Sequence, residues 1–142
     1  MRLSKNFHLD EFTRSDTAVR HRIPNNPSLK HVANIRRVAH TLELVRLIVE
    51  SPIYVTSGYR SDALNAKVRG SRNSAHIEGL AADFVVKDMK PKDVVDAIRD
   101  QVGFDQLILE FDRWVHIGLS DKHRQQVLRA SNHLGPTEYS FI

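Results

Sequence analysis

Apolar residues recur at helical spacing through the first third of the chain. Val32, Ile35, Val38, Ala39, Leu42, Val45 and Ile48 fall on one face, and this stripe predicts a long scaffold helix ending near Glu50. Ser28 or Asn26 can cap its start and Pro52 stops it. Ahead of it, residues 6–12 predict a short helical turn with Phe7, Leu9 and Phe12 inward, and residues 23–27 form a turn-rich break. After Pro52 the pattern changes. The β-branched run 53–56 and the run 82–86 read as strands, and 106–111 with 114–119 read as a hairpin linked through Asp112 and Arg113. Residues 62–68 predict a short helix, and the Gly-, Ser- and Asn-rich stretch 69–79 a loop. Pro91 suits the first turn of a helix running to about Gln101. Residues 122–130 are expected to form a last helix, and residues 135–142 a loose tail. The sum is an α+β chain: a small, mostly antiparallel sheet packed against helices, with residues 1–142 forming one domain.

Composition narrows the chemistry. The chain has no cysteine, which excludes disulfides, thiolate nucleophiles and sulfur-ligated metal sites. Any bound metal must be held by histidine and carboxylate. The net charge of +4 favours polyanionic surroundings such as nucleic acid, an anionic membrane or an anionic cell-wall polymer, and does not choose among them. Its basic residues are scattered, with no basic stripe interleaved with aromatics, so no specific nucleic-acid partner is expected. The longest apolar stretch, 42–49, is interrupted by Glu43 and Arg46 and is too short to span a bilayer. Residues 1–6 lack the apolar core of a secretory signal, so synthesis in the cytoplasm without a signal peptide is expected.

Two segments carry candidate chemistry. In Ser74-Ala75-His76-Ile77-Glu78-Gly79-Leu80-Ala81-Ala82-Asp83, a loop histidine precedes a strand aspartate. An imidazole and a carboxylate are a normal zinc pair, and a carboxylate in an apolar strand needs a cation. In the second segment His116 lies mid-strand, and alternation puts Trp114 and Gly118 on its face. Glu110 shares that face if the hairpin loop has three residues, and points away if it has two. The other six histidines read as surface residues.

The pattern Ser-x-His-x-x-Gly-x-Ala-x-Asp with a distal Trp-x-His resembles the zinc D-alanyl-D-alanine carboxypeptidases and their relatives. These include the vancomycin-resistance dipeptidases, phage L-alanyl-D-glutamate endolysins and the Hedgehog signalling domain. The likeness is greatest to a small branch common in phages, through Leu3 to Phe7, Glu11, Phe12 and the run from Asp105 to Ile108, and covers residues 3 to about 130. The resemblance implies a Hedgehog-like fold and a zinc ion held by His76, Asp83 and His116. It implies Glu110 as catalytic base. Many relatives place that glutamate three residues before the last histidine, where this chain has Arg113, so Asp112 is held in reserve. Arg60 matches an arginine near the substrate. Ser74, Tyr59 and Trp114 are expected to contact substrate.

The expected activity is zinc-dependent hydrolysis of a peptide bond in the peptidoglycan stem peptide, by a monomer acting on the cell wall, from a phage-encoded lysin. The contrasting reading is a metal-containing binding protein without catalysis on the same scaffold. A carboxylate base beside the metal ligands discriminates the two.

Overall fold

A computed structural model describes residues 1–142. The long amphipathic run folds as predicted. After two short helices, α1 (Leu9–Thr13) and α2 (Asp16–Arg20), comes α3 (Leu29–Val49). Ser28 caps it, its hydroxyl accepting from the His31 amide, and Ile35, Val38, Ala39, Leu42 and Val45 form its buried stripe. Glu50 closes the helix in the left-handed conformation ahead of Pro52. Strand β1 (Ile53–Ser57), helix α4 (Asp62–Lys67), strand β2 (Ala81–Val86) and helix α5 (Pro91–Ile98) follow, then β3 (Gln106–Glu110), β4 (Trp114–Gly118), β5 (Gln126–Ser131) and β6 (Glu138–Phe141).

The six strands make one sheet in the order β1-β2-β4-β3-β5-β6. Every pairing is antiparallel except β3 with β5, so the sheet of this α+β fold is mixed. Strand alternation sorts its two faces. Phe84, Leu107, Leu109, Val115 and Ile117 point to one side, are fully buried, and pack under α3 and α5. Asp83, Glu110, Trp114, His116 and Gly118 occupy alternate positions and point to the other. The apolar face therefore dictates where the polar one lies.

The C-terminal expectations are overturned. Residues 122–130, read as a helix, contain β5, and the tail beyond 135, read as loose, contains β6. In β5, Val127 enters the main core while Leu128 and Ala130 pack on the other face with Ile108. Burial on both faces erases the alternation that marks a strand. In β6 all four residues are exposed, and the strand is held by its ladder with β5 and not by an apolar pattern. The Ile142 amide and carbonyl are also tied down, to the Val127 carbonyl and the Arg99 guanidinium. Helix α2 was not anticipated either.

The connection that carries the chain from β4 past β3 to β5 is pinned by a forked ion pair. Arg124 Nε and Nη2 donate to the two Asp105 oxygens at 2.8 and 2.7 Å. The hydrogen bond from Arg124 holds the Asp105 carboxyl at about 2, below its ordinary range. A depressed folded-state pKa contributes stability above the unfolded value, and that stability is lost as pH falls through the folded one. Asp105→Asn is therefore expected to lower the melting temperature at neutral pH. The difference from wild type should shrink between about pH 4 and pH 2, as thermal unfolding across that range will show.

Candidate metal centre

Register brings the first two candidate ligands together. Asp83 of β2 lies directly opposite His116 of β4, and His116 Nδ1 is 2.9 Å from Asp83 Oδ1. The third arrives from the loop after α4, where His76 Nε2 comes within 3.2 Å of the same oxygen. That loop is tied to the turn after β1 at two points. The Arg60 amide donates to the His76 carbonyl, and His76 Nδ1 donates to the Gly58 carbonyl at 2.6 Å. Gly58 is obligatory there: a Cβ would sit 2.5 Å from the Phe12 carbonyl oxygen. Gly118 leaves room for the other imidazole, since a Cβ on it would lie 3.3 Å from His116 Nε2.

These contacts set the protonation pattern. A carbonyl only accepts, so His76 carries its proton on Nδ1 and presents Nε2 to Asp83. Burial holds the His76 pKa below the ordinary imidazole range, against the pull of Asp83. A neutral His76 then points a lone pair at a carboxylate oxygen, an arrangement that calls for a cation between them. His116 is pushed the other way. Burial opposes its protonation, but the hydrogen bond and charge of Asp83, and Glu110 beyond, outweigh it. Burial likewise opposes the charge on Asp83, yet its hydrogen bond with the protonated His116 keeps its carboxyl well below the usual range.

A metal fits this group. The three donor atoms all lie within 4.8 Å of one another. Tetrahedral zinc with bonds near 2.1 Å needs its ligand atoms about 3.4 Å apart, and the two histidine nitrogens stand 3.2 and 2.9 Å from the Asp83 oxygen. The two-nitrogen, one-carboxylate set suits zinc and leaves a fourth position for water. The groups that orient the ligands are also in place, as His76 Nδ1 is anchored on a backbone carbonyl and Arg60 Nη2 stands 3.8 Å from Asp83 Oδ2. Binding must expel the proton that His116 shares with Asp83.

Around the ligands lies a cleft of about 730 Å³. Glu110 lines it, with Oε1 3.8 Å from His116 Nδ1. Burial first, and then the charge of Asp83, raise the Glu110 pKa above its ordinary value. The hairpin geometry places it there. The loop has three residues, so Glu110 faces Trp114 instead of pointing away. Phe111 and Asp112 are both left-handed, with φ 55° and 57°. The expected link of Asp112 and Arg113 thus gains Phe111. Asp112 itself is exposed on the turn and 3.9 Å from Arg129, away from the ligands.

The chain belongs to the peptidase M15 family. The family model for Peptidase M15 matches residues 5–118, which hold all three ligands and Glu110. This is the zinc D-alanyl-D-alanine carboxypeptidase family, so the chain is a metallopeptidase by descent, and its His76, Asp83 and His116 lie close enough together to form a metal site. No curated protein is significantly similar to the chain.

Of the expected substrate residues, Ser74 and Trp114 line the cleft of this M15 domain. The Ser74 hydroxyl also accepts from the His76 amide at 3.2 Å. Tyr59 does not line the cleft; its ring is buried in the core, 4.8 Å from the ring of His31. The turn that aims Arg60 outward necessarily aims its neighbour inward. Arg60 is clamped, with Nε donating to Ser57 Oγ at 3.4 Å and Nη1 to Asn65 Oδ1 at 3.0 Å. Asn65 escaped the sequence reading. It is 4% exposed on α4, and its amide also donates to the Ser71 carbonyl, so it braces both Arg60 and the histidine loop. Its only signal was an amide beside Leu64 on a short helix just after Arg60. Asn25 was missed too; it holds the same turn through Thr13, Tyr59 and Ser61.

Purified protein should bind one zinc per chain, measured by metal analysis after gel filtration. His76→Ala is expected to abolish that stoichiometry. Gly58→Ala, which leaves every ligand intact, should weaken zinc binding about 10–100-fold by displacing the carbonyl that orients His76. Competition with a chromogenic chelator will measure it; unchanged affinity would show that the anchor is dispensable.

Proposed function

We propose that the protein hydrolyses a peptide bond in the peptidoglycan stem peptide, with Glu110 as general base. The observation that carries this reading is Glu110 itself, a half-buried carboxylate at the edge of the ligand cluster and inside the cleft. A site built only for binding has no need of it. His76, Asp83 and His116 would hold the zinc, which would supply Lewis acidity toward a water and the scissile carbonyl.

The chain's own groups do the rest. Glu110 takes a proton from the attacking water and passes it to the leaving amine. Its raised pKa brings it nearer to neutrality, which suits a group that must both accept and release. Asn65 and Ser57 hold Arg60 in a fixed direction, where its cation steadies Asp83 and faces a substrate carboxylate or the developing oxyanion. Ser74 and Trp114 contact the peptide from the cleft wall.

The substrate class is supported by charge. Arg124 in the cleft is paired with Asp105, but Arg60 and Arg69 line it too and offer cations to the free carboxylates of a stem peptide. The net charge of +4 favours residence on an anionic wall. No helix is long and apolar enough to cross a membrane. We place the activity at the cell wall, reached by a phage-encoded lysin at lysis or from the virion, acting as a monomer.

Glu110→Gln keeps the side-chain shape and removes the base. It is expected to lower kcat on purified peptidoglycan by about 10²–10⁴ while zinc content stays unchanged. Asp112→Asn should leave the rate within about twofold, as expected for an exposed surface group. Mass spectrometry of the products identifies the bond, whether the terminal D-alanyl-D-alanine or an inner one. Zinc-loaded wild type that releases no stem-peptide fragment would exclude the hydrolase reading and favour a binding role.

A further inference from the structure

The family match ends at residue 118, yet the cleft does not. Its far wall comes from Thr137 and, in β6, Tyr139, which line the same cavity as His76, Asp83, His116 and Glu110. Register explains how a strand two positions away reaches the site. On one face of the sheet, Trp114 lies opposite Glu110, Glu110 beside Ala130, and Ala130 opposite Tyr139. The row therefore reads Trp114, Glu110, Ala130, Tyr139 across four strands. Adjacent strands stand about 4.8 Å apart, so Glu110 and Tyr139 are separated by roughly 10 Å of backbone. Ala130 between them has no side chain beyond Cβ. A larger residue there would fill the space that lets the ring of Tyr139 share a cavity with the Glu110 carboxylate.

Burial, and the negative charges of Glu110 and Asp83, raise the Tyr139 pKa, so its hydroxyl keeps its proton and remains a donor. The ring is still well exposed, as a group meeting an incoming molecule must be. The strand that carries it is no loose end, since its ladder with β5 and the anchors on Ile142 fix it.

The row also sets a direction. Arg60 stands on the β1 side of the zinc ligands and Tyr139 on the β3 side, beyond Glu110. Glu110 hands a proton to the leaving amine, so the part of the substrate attached to that amine lies on Glu110's side. We propose that Tyr139 is a substrate-binding residue whose hydroxyl donates a hydrogen bond to the peptide segment on the carboxyl side of the cleaved bond. This rests on the hydrolase reading above and adds a residue outside the region matched by the family model.

The test uses the zinc-loaded full chain and a soluble stem pentapeptide. Tyr139→Phe keeps the ring against Ala130 and removes only the hydroxyl. One hydrogen bond lost from the bound substrate should raise KM about five- to tenfold and leave kcat within about twofold. On a Glu110→Gln background, which binds without turnover, calorimetry should show the same rise in Kd. If wild type cleaves the pentapeptide and Tyr139→Phe matches it in both KM and Kd, the assignment to Tyr139 is wrong while the hydrolase stands. Loss of kcat together with zinc content or melting temperature assigns Tyr139 a structural role and also overturns the proposal. If wild type neither binds nor cleaves, the hydrolase reading fails and takes this assignment with it.

Discussion

Asp83 and His116 sit directly opposite one another in neighbouring strands, and the site depends on that pairing. Side chains in a strand alternate, so a slip of one residue between β2 and β4 would turn one ligand into the core. The same slip would bring Phe84, Val115 or Ile117 out to solvent. Each is fully buried under the helices, and expelling one costs about 1.5–3 kcal/mol. The apolar face of the sheet thus enforces the register, and the register makes the ligand pair. Glu110 inherits its position from the same ladder, because it is fixed by its pairing with Trp114.

His76 is held by other means. It comes from a loop, and its direction is set by backbone groups that belong to distant parts of the chain. The Gly58 carbonyl orients its ring, while Phe12 of α1 receives the Tyr59 amide and closes on Gly58. Helix α1 therefore supports the metal centre without touching it. A site with two buried polar residues, His76 and Asp83, and the partly buried His116 is costly beside an apolar interior. Here the cost is limited by mutual pairing and by Arg60, which is itself braced on Asn65.

Much of this was legible in the amino-acid order. The stripe from Val32 to Ile48 and its Ser28 cap marked α3, and the lone carboxylate at Asp83 asked for a cation before any neighbour was known. The full ligand set came from the resemblance of the spaced Ser-x-His-x-x-Gly-x-Ala-x-Asp and Trp-x-His pattern to the carboxypeptidase family. What stayed hidden was long-range or conformational. Asp112 and Arg113 read as the whole link because nothing in a Phe-Asp pair announces two left-handed residues; that preference belongs to Gly and Asn. The direction of Glu110 hung on that one extra residue. Strand β5 pairs in parallel with β3, a contact that no local pattern encodes, and its two-sided burial imitates a helix. Tyr59 was misplaced because neighbours on a turn point apart, and sequence alone does not say which one faces the cleft.

The last strand also matters to anyone who handles the protein. Residues 138–141 form an edge of the sheet and a rim of the cleft at once. A tag, a label or a fused wall-anchoring module added after Ile142 would continue the strand that carries the cleft-lining Tyr139. Met1 lies elsewhere, its carbonyl bonded to the Leu9 amide and its sulfur near Arg36 on the helical side. Extensions at that end leave the approach to the metal open, so the two termini are unequal attachment points even though both are exposed.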